Sequence, residues 1–181
     1  VPELSDHYDS FIAPVHAKSF TIAGGTQLAF LSDMQQALID NKAKGLSLRE
    51  FHADFESIKA KYGWSHKGNS MWRARVIYDT NVRSAQMAAK WQQAQLGKAQ
   101  FPYLEYRIGN SRVHRKDHQS WDGLILPVEH PFWDTHYPPN GYGCKCDAYQ
   151  IDDFMMEADG LGFRDAPVIE RKDVTSSNGN V

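Results

Sequence analysis

Three stretches of the 181-residue sequence hold side chains able to do chemistry. The densest runs from Val113 to Gly123 and sets His114, Arg115, Lys116, Asp117, His118 and Asp122 close together. An imidazole near neutral pH can act as acid, base or metal ligand. With a guanidinium and carboxylates beside it, a nuclease-like or transferase site would use His114, Arg115, His118 and Asp122. The same residues also fit a polar helix or turn. Arg115 and His118 lie three apart, on one helical face, where they can pair with nearby carboxylates. Asp122-Gly123 before Leu124 is a turn signal. Both readings stay open at this level.

The second stretch is Cys144-Lys145-Cys146. On a strand, residues two apart point to one face, with Cα atoms about 6.5 Å apart. That spacing is near the upper limit for a disulfide, and there is no third cysteine. Two readings remain: free thiols that seal a small, loop-rich core, or a metal site. Zinc-binding cysteines are usually two to four residues apart, so a single intervening residue is atypical. A tetrahedral zinc here would need two further ligands, and His118 with His136 is the available pair. The sequence thus allows no cofactor at all, or zinc in a stabilised binding module.

The third stretch, Pro131 to Gly143, alternates aromatics with Pro138, Pro139, Gly141 and Gly143. Fixed φ angles and packed rings make an ordered loop of this composition, suited either to docking or to covering a sheet. Arg73, Arg75, Arg83 and Lys90 precede it on a helical stretch. They could contact the phosphates of DNA or form a solvated face. No phosphate-cradling glycine loop, serine elbow or glycosidase carboxylate pair is present.

These residues need elements to position them. With 20 Lys+Arg against 22 Asp+Glu, the net charge of −2 excludes a globally cationic nucleic-acid binder. Two cysteines exclude a disulfide scaffold. No apolar run approaches the ~20 residues of a membrane span, and the acidic Val1–Asp9 does not resemble a signal peptide. The expectation is a soluble protein folded in a reducing compartment.

Residues 1–25 read as an arm. Thr26 is placed to cap a helix facing inward through Leu28, Leu31, Leu38 and Ile39, with Gly45 as its stop. Ser47 and Glu50 form a capping box for a second helix carrying Leu48, Phe51, Phe55, Ile58 and Tyr62, ended by Gly63. A third helix of roughly 27 residues, or ~40 Å, spans about Ser70 to Leu96. Its apolar surface is expected from Trp72, Val76, Tyr78, Ala85, Ala88 and Trp91. Strands are expected at Tyr103–Ile108, Leu124–Leu126 and Cys144–Tyr149, then a short helix from Asp152 to Ala158 and a linker over residues 161–181. The fold class is α+β: a helical N-terminal half (26–97) with one long helix, then a small, loop-rich β subdomain (98–150), within a domain of residues 26–160.

Several motifs, in order, resemble the phage Mu F-like minor head proteins of the head-morphogenesis family, from about His16 to Tyr149. They are His16–Ala23, Tyr62-Gly63-Trp64, Trp72–Asn81, Arg115–His118 with Trp121-Asp122-Gly123, Pro131–Asp134, and Pro138–Cys146. The resemblance singles out Arg115, His118, Asp122, Gly123, Pro138, Pro139, Cys144 and Cys146 as a structural motif. Close packing is expected between Arg115, Asp122 and the Cys144 loop. The resemblance implies a non-enzymatic virion component near the portal vertex inside the capsid, made in the host cytoplasm. Its partners would be portal and capsid proteins and packaged DNA, with no membrane, and its role would be head morphogenesis and DNA packaging or delivery. Some family domains are fused to toxin modules, which keeps a toxin or nuclease-like enzyme as the alternative. Two departures stand out: Cys-Lys-Cys replaces the usual Cys-Arg-Cys, losing a bidentate fork, and Glu129-His130 stands where the family has an Asp.

Overall fold

Apolar residues in the first half recur at helical spacing. In a computed structural model, which describes residues 20–168, they form three helices: α1 (Leu28–Ala43), α2 (Leu48–Tyr62) and α3 (Ser70–Gly97). The expected arm and linker fall within the described residues only at Phe20–Gly25 and at residues 161–168. At the start of α2 the Ser47 N–H and hydroxyl both donate to Glu50 Oε2, at 2.7 and 2.9 Å. Gly63 ends α2 with a φ of 60°, a left-handed turn that favours glycine. Asn69 caps α3 by accepting from the Trp72 N–H at 3.1 Å.

Two faces differ from expectation. Helix α1 starts after Gln27 rather than Thr26 and has no side-chain cap. Leu28 and Ile39 face solvent, while Phe30, Leu31, Met34 and Leu38 are buried. The stripe is turned because Phe30 and Met34 join Leu31 and Leu38 at spacings of three and four. On α3, Tyr78 and Trp91 pack against the cores as expected, but Trp72 is 56% exposed and Ala85 is exposed. Its buried stripe is Ala74, Ile77, Thr80, Asn81, Ser84, Met87 and Ala94. These mostly small or short side chains allow neighbouring backbone to come close, which a stripe of large apolar residues would prevent.

Phe20, Ile22, Phe30, Leu31, Met34, Phe51, Phe55, Ala74 and Ile77 form the helical core. Full burial of the Phe, Leu, Ile and Met side chains among them stabilises by roughly 1.5–3 kcal/mol each. Trp64 adds ring contacts to Phe30 (5.0 Å) and Phe55 (6.2 Å). Asn81 ties the incoming segment to α3. Its Oδ1 accepts from the Thr21 N–H at 2.8 Å, and its Nδ2 donates to the Thr21 carbonyl at 2.9 Å. One amide thereby satisfies two backbone groups that would otherwise be buried unpaired.

The second half is a three-stranded antiparallel sheet of order β2–β1–β3, with β1 (Tyr103–Arg107) between β2 (Leu124–Pro127) and β3 (Asp147–Ile151). Its short helices are α4 (Lys116–Ser120), α5 (Phe132–His136) and α6 (Asp153–Ala158). Asp152 caps α6 by accepting from the Met155 N–H at 2.8 Å. Met87 and Ala94 of α3 join Leu104, Tyr106, Leu124, Leu126, Phe132 and Trp133 in one cluster. Ile125, Ile151 and Met156 form a smaller one. Strand β1 is therefore covered on both faces, and Glu105 is buried with Arg107 as its ion-pair partner at 2.8 Å. The protein is α+β, with α3 shared between its two parts. Among the described residues, no helix is long and apolar enough to cross a membrane.

Candidate functional site

The last strand begins at Asp147, so Cys144 and Cys146 lie in the loop before it, not on a strand. Gly141 and Gly143, at φ 89° and 73°, curl this loop, and the Cys144 N–H donates to the Gly141 carbonyl at 3.1 Å. The curl turns both sulfurs toward His118 on α4. Cys146 Sγ is 3.4 Å from His118 Nδ1, and Cys144 Sγ is 3.8 Å from the same atom. All three residues are buried. Gly109 lets the chain after β1 pass over this loop, because a side-chain carbon there would overlap the Lys145 backbone carbonyl.

Several anchors hold the loop. Arg115 donates to the carbonyls of Asn140 (3.3 Å) and Tyr142 (3.0 Å). Arg83 donates to the Cys146 carbonyl at 2.6 Å and pairs with Asp147 at 3.2 Å. Lys90 donates to both Asp147 oxygens, at 2.7 and 2.8 Å. Trp121 stacks on the His118 ring at 5.3 Å and fixes its plane. The Pro138-Pro139 bond, in the same loop, is cis.

The two thiols ionise unequally. A hydrogen bond from the Cys144 thiol lowers the pKa of Cys146 against the opposing effect of burial, and His118, the Tyr106 hydroxyl and Gly109 backbone lower it further. Cys144 is raised by that same bond and by burial. Burial also raises the Tyr106 phenol and lowers His136.

The remaining predicted residues go elsewhere. His136 is not part of the sulfur–imidazole group. It stacks on Phe132 at 4.8 Å, meets the Trp121 edge at 4.6 Å, and its Nδ1 lies 2.7 Å from Thr135 Oγ1. Asp122, expected to pack near the Cys144 loop, is fixed by its Oδ1, which accepts from the Ile108 N–H at 3.0 Å. Gly123, at φ 70°, donates its N–H to the Tyr106 carbonyl at 2.8 Å. His114 Nε2 sits 2.7 Å from the Gly109 carbonyl. Of the basic residues on α3, Arg73 donates to the Ala23 carbonyl and lies over the Trp64 ring. Arg83 and Lys90 serve Asp147, and Arg75 is exposed. Expected phosphate contacts by Arg73, Arg83 and Lys90 therefore compete with intramolecular partners. Sequence reasoning missed Tyr106, Gly109 and Asp147. Adjacency to Cys146 was the one available signal for Asp147.

A helical part joined by a shared long helix to a small sheet, with a buried sulfur–imidazole group in its loops, defines an α+β module. The chain belongs to the phage Mu protein F like family, whose model matches residues 32–149. It is 30% identical over 156 residues to the Mu-like prophage FluMu F protein of Haemophilus influenzae, covering 81% of this chain and 38% of that protein. It is 27% identical over 164 residues to protein F of Escherichia phage Mu, named as a candidate capsid assembly protein, covering 83% and 37%. The chain thus spans less than two-fifths of the length of these curated relatives. No solved structure matches it.

Proposed function

We propose that this chain is an assembly module of a tailed-phage head, binding portal and capsid proteins near the portal vertex and supporting head morphogenesis and DNA packaging or delivery. The observation that carries the reading is the similarity over 83% of the chain to the Mu protein named for capsid assembly. The geometry supports a non-catalytic role. Three of the four residues an acid–base enzyme would use are committed to backbone groups: His114 to Gly109, Arg115 to Asn140 and Tyr142, and Asp122 to Ile108. Exposed Trp72, Phe154 and Phe163 supply the aromatic surface that protein interfaces favour. The module works inside the capsid after assembly in the host cytoplasm. Any contact with packaged DNA is weak and falls steeply with salt, since most cations of α3 have partners.

Cross-linking of purified heads followed by mass spectrometry tests this reading. Links from the module to portal and capsid proteins are the expected result. Absence of the protein from heads, or a turnover lost in folded His118→Ala, overturns it.

A further inference from the structure

The paired thiols and imidazole play no part in the assembly reading, and their arrangement is more specific than core filling requires. His118, Cys144 and Cys146 present ligand atoms that all lie within 4.8 Å of one another. We propose that these three residues bind one divalent metal ion of the zinc type, with its fourth coordination position facing the cleft beside them. With metal–sulfur bonds of about 2.3 Å and metal–nitrogen bonds of about 2.0 Å, a tetrahedral ion separates sulfur from nitrogen by about 3.5 Å. The observed separations, 3.4 and 3.8 Å, bracket that edge. Both sulfurs face the same ring nitrogen, Nδ1, although the cysteines lie 26 and 28 residues along the chain from His118.

Polar groups also line the sulfurs. The Tyr106 hydroxyl and Gly109 backbone hydrogen-bond to Cys146, and the backbone of Asn140 and Cys146 to Cys144. Two thiolates and a dication sum to zero charge, so the burial that disfavours a lone thiolate does not disfavour the loaded site. Metal binding releases the thiol protons to solvent, and no electron is transferred. The ligand set follows zinc's preference for nitrogen and sulfur. The spacing of one residue between the cysteines fits because the site lies in a curled loop rather than on a strand. A cleft of about 290 Å³, lined by Arg115, His114, Tyr142 and the three ligands, adjoins the site. Water reaches the fourth position from there. The metal would staple α4 to the loop before β3, beside a sheet of three short strands.

The test is cobalt(II) titration of the reduced, purified 181-residue chain, with elemental analysis of the protein as isolated. Expected are one ion per chain and a thiolate-to-cobalt charge-transfer band with the intense visible bands of tetrahedral coordination. Zinc should displace cobalt stoichiometrically. Cys146→Ser and His118→Gln should lose the ion, and His136→Gln should keep it. Because the first two variants can fail to fold, the wild-type chain is also stripped with a chelator and its far-UV circular dichroism followed. A folded, reduced wild-type chain that gives no cobalt band overturns the proposal. Loss of the ion in folded His136→Gln overturns the three-ligand set.

Discussion

The helical part and the sheet part of this protein are held together by different means. Around α1 and α2 the core is aromatic and aliphatic, and Asn81 supplies a polar pin to the incoming chain. Around the sheet, a carboxylate flanked by two cations, a guanidinium on two carbonyls and a sulfur–imidazole group join segments that periodicity does not connect. Helices generate a buried face from local spacing alone, so apolar contact suffices. A three-stranded sheet with long connections has little such face, and specific polar contacts fix its loops.

The contrast can be broken at each point. The largest effect is expected from Phe55→Ala, which removes a fully buried ring from the helical core. It should cost about 3–5 kcal/mol in denaturant unfolding. Where the variant still folds, thiol reactivity at Cys144 and Cys146 should be unchanged, since the ring lies outside their cluster. Asp147→Ala should cost about 2 kcal/mol, because it removes charge-assisted bonds and leaves Arg83 and Lys90 without their carboxylate. Unlike the first variant, it should speed the reaction of both thiols with a disulfide reagent. Asn81→Ala should cost about 1–3 kcal/mol, the penalty of leaving the Thr21 backbone groups buried and unpaired. Faster hydrogen exchange at Thr21 would locate that loss.

The smallest effect concerns acid. Hydrogen bonds from the Ser47 backbone and hydroxyl lower the pKa of Glu50, and hydrogen bonds from Lys61 and Tyr62 lower that of Asp33. A carboxylate depressed by folding contributes stability that is complete above its ordinary pKa and is lost as pH falls through the depressed value. Melting temperature should therefore decline on acidification below the usual carboxylate range. Glu50→Gln should flatten part of that decline and leave the neutral-pH thiol chemistry of the sheet part untouched.

The same division decides what the sequence reveals. The extent of α3, the Ser47–Glu50 box, the Gly63 stop and the Asp152 cap are legible because each depends on residues within a turn of one another. The leucines alone do not reveal the inward face of α1, because Phe30 and Met34 turn it away from Leu28 and Ile39. On α3, Tyr78 and Trp91 pack against the two cores as their apolar character suggests, whereas the fully buried stripe also uses Thr80, Asn81 and Ser84, which carry no hydrophobic signal. At the sulfur site, Cys144, Cys146 and His118 are apparent as residue types. Composition alone does not separate His136 from them, whereas the Phe132 and Trp121 rings hold it elsewhere. The Arg83–Asp147 and Lys90–Asp147 pairs bridge two elements, and nothing local in the chain announces them.

Helix α3 gives Ala74 and Ile77 to one core and Met87 and Ala94 to the other. A rod belonging to two cores cannot melt at one end without exposing apolar surface at the other. The two parts should therefore denature in a single calorimetric transition, despite their unlike construction. Damage in the cysteine loop, like damage in the helical core, then lowers the melting point of the whole molecule, because one transition sums the stability of both parts.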